Sequence, residues 1–186
     1  MSYRFCPQCG AILGSRVVKA GEPERVACNA CDFVWFVDPK VAAGCIVETP
    51  AGIVLLRRGI EPAYGKWVFP GGYVDRGERV EDAAVRETRE EACLEVRVTS
   101  LLNVYSYAGR PVIVVVFTGE HVGGTLTAAD ETLEAGTFTP ADIPWSELAF
   151  SSTFDALRDY IDRVHGLRPP SGAQPPPHPV DPSPGV

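Results

Sequence analysis

Nothing in this sequence approaches the ~18 consecutive apolar residues of a membrane-spanning helix. The first residues, Met1-Ser2-Tyr3-Arg4-Phe5-Cys6, lack the apolar stretch of a signal peptide, so the expected location is the cytoplasm. Base is also in short supply: 17 Lys and Arg face 24 Asp and Glu, for a formal net charge of -7. Phosphate backbones are held by Lys and Arg, so general nucleic-acid binding is disfavoured. Cysteine is too sparse for a secreted disulfide scaffold, with six in 186 residues, four in two close pairs and two alone. In a chain without a signal, CxxC pairs point instead to reduced thiolates on a metal. What is present is ordinary for a globular protein, 45% hydrophobic and 22% charged, enough for a core without disulfide staples. The length suits one domain plus a small appendage.

Three regions follow from composition. Residues 1–36 hold both CxxC pairs and little that could bury a core. Residues 37–167 alternate strand-like runs, turns and helical stretches. Residues 168–186 carry eight prolines from Pro169 onward, which excludes helix and central strand and predicts disorder. A polyproline segment can also serve a partner.

Within the middle region, Val41–Val47 and Ile53–Leu56 flank Thr49-Pro50-Ala51-Gly52 and read as a hairpin. Val96–Tyr107 alternates in part, and Val112–Phe117 is a nearly continuous β-branched run expected to be buried. Gly109-Arg110-Pro111 and Gly123-Gly124 are turn signals. Arg79–Ala92 lacks Gly and Pro and predicts a helix. Ser152–His165 predicts a second, opened by a near capping box, Ser152-Thr153-Phe154-Asp155, with Phe154, Leu157, Ile161 and Val164 at helical spacing. Mixed strands with two helices argue for an α/β/α sandwich.

The first helix carries the chemistry. Glu87 and Glu91 lie one turn apart with Glu90 beside them, so three carboxylates share about 100 degrees of arc. Like charges at that spacing cost an isolated helix a few tenths of a kcal/mol each. A hard divalent cation reverses the sign, because Mg²⁺ is bound by carboxylates together with substrate phosphates. Arg86, four residues before Glu90, is placed to pair with it. Gly71-Gly72 lets the backbone approach metal and phosphate closely. The bland alternative is a solvated helix laced with i,i+4 ion pairs, which leaves the longer spacing unexplained.

That spacing runs Gly72, Glu78, Arg86, Glu87, Glu90, Glu91, preceded by Gly65-Lys66-Trp67-Val68-Phe69-Pro70-Gly71. It resembles the Nudix box, with every charged position of the family pattern in place. Two positions depart. Thr88 stands for an apolar residue, and Cys93 for the glycine that ends the helix. A left-handed Cys93 would be strained by roughly 1–2 kcal/mol, so a different helix ending is expected.

The resemblance implies a Nudix α/β/α sandwich with a mixed sheet. It also implies hydrolysis of a nucleoside diphosphate linked to another moiety. The expected Mg²⁺ or Mn²⁺ ligands are Glu87, Glu90, Glu91 and Gly71, with Gly71, Gly72, Arg57 and Arg58 towards substrate. One carboxylate must take the proton of the attacking water. A box glutamate is favoured, and Glu131 and Glu134 are later candidates. Surface solvation is the plain alternative for Arg57 and Arg58. Trp67, Phe69, Tyr105 and Tyr107 read as core before substrate stackers.

Cys6-Pro7-Gln8-Cys9 and Cys28-Asn29-Ala30-Cys31 are 18 residues apart, the pattern of a closed four-thiolate structural Zn²⁺ site. A segment of about 35 residues needs that metal to fold. Cys45 is read as an apolar filler. The N-terminal part resembles the zinc ribbon of a Nudix branch that includes NADH pyrophosphatases. Their Ser-Gln-Pro-Trp-Pro-Phe-Pro tract is absent after Leu94, so ADP-ribose or FAD ranks first and NADH next. The expected partners are a small dinucleotide or nucleotide-sugar substrate and, as is common in the family, a second copy in a homodimer. Two other functions stay open. A non-catalytic nucleotide sensor has no need of the box acids. An RNA-binding ribbon lacks a clear basic patch, since Arg4, Arg16, Lys19 and Arg25 are offset by Glu22, Glu24 and Asp32.

Overall fold

The computed structural model describes residues 3–177, and these fall into two compact units divided between Asp38 and Pro39. In the first unit, strands β1 (Leu13–Val17), β2 (Glu24–Cys28) and β3 (Val34–Trp35) form an antiparallel sheet in the order β1-β2-β3. Buried side chains are few here: Cys6, Ala27 and Cys28 among the described residues.

The second unit is built on β4 (Lys40–Thr49), β5 (Gly52–Arg58), β6 (Trp67–Val68), β7 (Gly71–Tyr73), β8 (Leu94–Tyr105), β9 (Val112–Gly124) and β10 (Thr132–Phe138). Its helices are α1 (Val80–Ala92) and α2 (Ser151–His165), with a single 3₁₀ turn at Trp145–Glu147. The main sheet runs β10-β5-β4-β9-β8, with β6 on β5 and β7 on β4. β4 and β9 are parallel and the other pairs antiparallel, so the sheet is mixed as expected.

The period of two along a strand sorts side chains between two cores. Ile46, Ile53, Leu55 and Val116 face α2 with its Phe154, Leu157, Tyr160 and Ile161. Cys45, Val47, Val54, Leu56 and Phe117 face the other way, onto Ala83, Ala84 and Ala92 of α1. A helix therefore covers each face, which is the predicted α/β/α sandwich. The hairpin of β4 and β5 closes with Glu48 opposite Ile53 and Thr49 opposite Gly52. Trp67 and Phe69 are core, the former edge-on to Phe138 at 4.9 Å. Tyr105 and Tyr107 tie their segment to α2 by donating to Asp159 at 2.9 Å and Asp155 at 2.7 Å. No helix among the described residues is long and apolar enough to cross a membrane.

Several local expectations are corrected. α2 starts one residue earlier than the spacing implied, its N-cap is Phe150, and it has no side-chain cap. The anticipated capping residue Asp155 is engaged by Arg158 at 2.7 Å and by Tyr107 instead. Val164, counted on the buried face, is 54% exposed. β10 is not among the strands expected from the sequence, and the turn signal Gly123-Gly124 closes β9. Residues 168–177 carry no helix or strand, yet Ala173 packs against the α2-side core and the Pro176 carbonyl accepts from Ser151. The absence of helix and strand in this stretch is what its prolines predict, and the tail from 178 on lies outside the described residues.

Candidate functional site

α1 is seated by small residues. Ala83, Ala84, Thr88 and Ala92 are fully buried against the sheet, and the Thr88 hydroxyl donates to the Ala84 carbonyl at 2.7 Å. Thr88 thus fills an apolar position with its polar atom satisfied inside the helix. The helix ends on Cys93 at φ 56, ψ 27, in the left-handed region, with its N–H on the Arg89 carbonyl. The expectation that cysteine forces another ending is overturned, since the chain accepts the strain where glycine has none.

The other side of α1 presents Arg86, Glu87, Glu90 and Glu91. Arg86 binds Glu78 through two nitrogens, at 2.8 and 2.9 Å, and reaches Glu87 at 2.8 Å, Glu90 at 3.1 Å and the Tyr73 carbonyl at 3.1 Å. The predicted pairing with Glu90 is present but is one strand of a larger knot. The missing member was Glu78, which the spacing held in view eight residues before Arg86 without a role. The bidentate guanidinium, helped by the Asp75 N–H, holds the Glu78 carboxyl down to about 2. Glu78 and Arg86 thereby fix the loop before α1 to the helix.

Glu91 behaves differently. It accepts the Gly71 N–H at 2.9 Å. Burial, with added repulsion from Glu87 and Glu131, pushes it up to about 7 against the pull of that N–H and of Arg58. Burial also raises Glu87, opposed by Arg86. The two glycines permit the close approach. A Cβ on Gly71 would sit 2.6 Å from the Ala43 carbonyl oxygen, and one on Gly72 2.5 Å from the Glu87 carboxylate.

Of the two arginines on β5, Arg58 faces this cluster. Burial lowers its value while Glu91 and Glu131 raise it. Its Nε donates to the Pro62 carbonyl at 3.0 Å, and its guanidinium lies 5.1 Å from the centre of the Phe150 ring. Arg57 is committed elsewhere, to the Gly65 carbonyl at 2.9 Å and to Glu134 at 3.3 Å across the β5–β10 pairing. The structure brings Glu91 to Gly71 and Glu87 to Gly72, with Arg58 and Glu131 within electrostatic reach of Glu91. Glu90 is turned to Arg86, and Arg57 and Glu134 pair with each other to one side. The donor set suits a hard divalent cation: carboxylate oxygens in excess of local positive charge, that of Glu91 part-buried.

In the first unit the sulfurs of Cys6, Cys9, Cys28 and Cys31 all lie within 4.8 Å of one another. Cys6–Cys31 and Cys9–Cys28 are 3.7 and 3.5 Å apart. Thiolates at ~2.3 Å from a tetrahedral Zn²⁺ stand about 3.8 Å apart, so the quartet fits that ion. The Gln8 and Ala30 N–H groups donate to Cys6 and Cys28 sulfur at 3.4 and 3.3 Å, which orients each CxxC turn.

Comparison with known proteins agrees with both units. The family profile of the NUDIX domain matches residues 38–159, and that of the Nudix N-terminal zinc ribbon matches residues 4–36. An ADP-ribose pyrophosphatase of Methanocaldococcus jannaschii is 39% identical over 135 residues, covering 70% of this chain and 78% of the relative. An NAD-capped RNA hydrolase, NudC, of Pseudomonas putida is 30% identical over 144 residues, 76% of this chain but 50% of the relative, so this chain spans about half its length. Among solved structures, a NUDIX hydrolase from Nitrosomonas europaea superposes with a TM-score of 0.83 at 32% identity, covering 90% of this chain and 95% of that one.

Proposed function

Because the chain belongs to the Nudix hydrolase family and carries that family's N-terminal zinc ribbon, we propose that it hydrolyses the pyrophosphate of a nucleoside diphosphate linked to another moiety. ADP-ribose or FAD is the favoured substrate and NADH the next. The observation that carries this is Glu91. A part-buried carboxylate, pushed up to about 7 by burial with Glu87 and Glu131 adding to it, has a backbone N–H as its hydrogen-bond partner among the described residues. That arrangement is costly by itself and favourable beside a cation.

Glu87, Glu90, Glu91 and the Gly71 backbone would hold Mg²⁺ or Mn²⁺, which supplies charge to the phosphate oxygens and acidifies a bound water. Arg58 faces the same space and neutralises phosphate charge. Arg86 and Glu78 keep the helix and the preceding loop in register, so the acids are placed before substrate arrives. A box glutamate takes the water's proton. Glu131, close enough to bear on both Glu91 and Arg58, is the specific competitor for that role. The four cysteines would hold Zn²⁺ with no open position, a structural ion.

The preference for ADP-ribose rests on the relative of that name at 39% identity and on the missing Ser-Gln-Pro-Trp-Pro-Phe-Pro tract. The test is a panel of ADP-ribose, FAD, NADH and diadenosine polyphosphates with Mg²⁺ or Mn²⁺, assayed on wild type, Glu90→Gln and Glu91→Gln. Wild type cleaves ADP-ribose or FAD best, and each variant loses at least about 10²-fold in kcat. Intact substrates throughout would return the sensor reading, and undiminished variants would refute the ligand assignment.

A further inference from the structure

The proline-rich segment after α2 is seated at the end of α2 that adjoins the active site. Pro170 to Ala173 form a turn, closed by the Ala173 N–H on the Pro170 carbonyl at 3.0 Å, with Gly172 at φ 92 where that bend requires glycine. The turn delivers Ala173 onto the core that holds Trp145 and Phe154. Pro170, Gly172, Ala173 and Gln174 face Ile143–Ser146 across a cleft of about 490 Å³. Further on, the Pro176 carbonyl accepts the Ser151 hydroxyl at 3.0 Å. Proline fixes φ in advance, so ordering such a segment costs less entropy than ordering another of equal length.

The place where the segment lands matters. Ser151 is the first residue of a helix that has no side-chain cap, and Phe150 is its N-cap. The Thr153 hydroxyl in the same turn is buried with no hydrogen-bond partner among the described residues, so it does not cap this helix start. The Phe150 ring, one residue from the anchor, carries the Arg58 guanidinium at 5.1 Å. A continuous line of contacts therefore runs from Ala173 and Pro176 through Ser151 and Phe150 to Arg58.

We infer that residues 170–177 are a strap that braces the first turn of α2 and so positions the Phe150–Arg58 pair for the substrate phosphate. The inference rests on the reading of Arg58 as a phosphate contact. The strap touches no reacting atom and acts on binding geometry alone.

The test uses full-length protein with Ala173→Asp, which sets a charge against Trp145 and unseats the turn, alongside Phe150→Ala and the double variant. Amide hydrogen exchange comes first. Ala173→Asp speeds exchange at the Phe150–Phe154 amides at least tenfold and leaves those of α1 unchanged. Kinetics with the best substrate come second. Ala173→Asp and Phe150→Ala each raise KM about fivefold with kcat within twofold, and the double variant is no worse than Phe150→Ala, because both act through one ring. Unchanged exchange, unchanged KM or additive effects overturn the strap. If wild type cleaves nothing, the functional reading fails while the exchange experiment still decides whether the segment braces α2.

Discussion

At the scale of single residues, the site is a set of charges with unequal support. Glu78 is held by a bidentate arginine, whereas Glu91 is raised from 4.5 to about 7 chiefly by its burial. A carboxyl whose folded value exceeds its unfolded value makes the folded chain hold the extra proton. Its stabilising share is complete below 4.5 and is lost as pH rises to about 7. The cost of the ionised form is roughly 3 kcal/mol at most. Metal-free Glu91→Gln, whose amide oxygen still accepts the Gly71 N–H, therefore melts several degrees above wild type at pH 8. The two converge below pH 4.5, and Mg²⁺ reverses the order at pH 8 by stabilising wild type alone. Thermal melts with and without chelator decide this, and a variant less stable than metal-free wild type at pH 8 contradicts it. Cys93 gives a second prediction at this scale. Its left-handed backbone favours glycine, so Cys93→Gly raises unfolding free energy by about 0.5–1 kcal/mol, measurable in a urea titration.

At the scale of elements, strand pairing decides which of two similar acids matters. β10 runs antiparallel to β5 with Glu134 opposite Arg57, so Glu134 spends its charge on an exposed ion pair. Glu131 lies just before that strand, and its carbonyl accepts the Gly59 N–H at 2.6 Å, which keeps it on the Arg58 side. Glu131→Gln is expected to lower kcat at least tenfold, and Glu134→Gln less than twofold. Equal losses would mean that the pairing does not sort them. The sequence made β4, β5 and β9 legible because they are continuous apolar runs set off by turn residues, α1 because it lacks Gly and Pro, and the box made the three glutamates legible. β10 was not, since Thr-Leu-Glu-Ala-Gly-Thr-Phe has no strong alternation and an edge strand buries little. Glu78 as the arginine's main partner, and the choice of Arg58 over Arg57, depend on which side of a paired strand faces α1. Spacing along one chain does not encode that.

At the scale of the whole molecule, the two units obtain their stability in different ways. Residues 39–177 bury two apolar layers on opposite faces of one sheet. Among residues 3–38 the buried side chains are Cys6, Ala27 and Cys28, two of them members of the sulfur quartet. One alanine cannot offset the ordering of some 35 residues at ~1–2 kcal/mol each, whereas a structural Zn²⁺ site supplies on the order of 10 kcal/mol. Stripping zinc with a strong chelator is thus expected to abolish amide protection at β1–β3 while the main thermal transition of residues 39–177 stays in place. Cys28→Ser has the same effect without chelator. Millimolar Mg²⁺ restores neither, because a hard cation has little affinity for thiolate sulfur. Exchange measured by mass spectrometry separates the two units, and ribbon amides that stay protected after zinc is removed would show that the quartet does not hold this unit together.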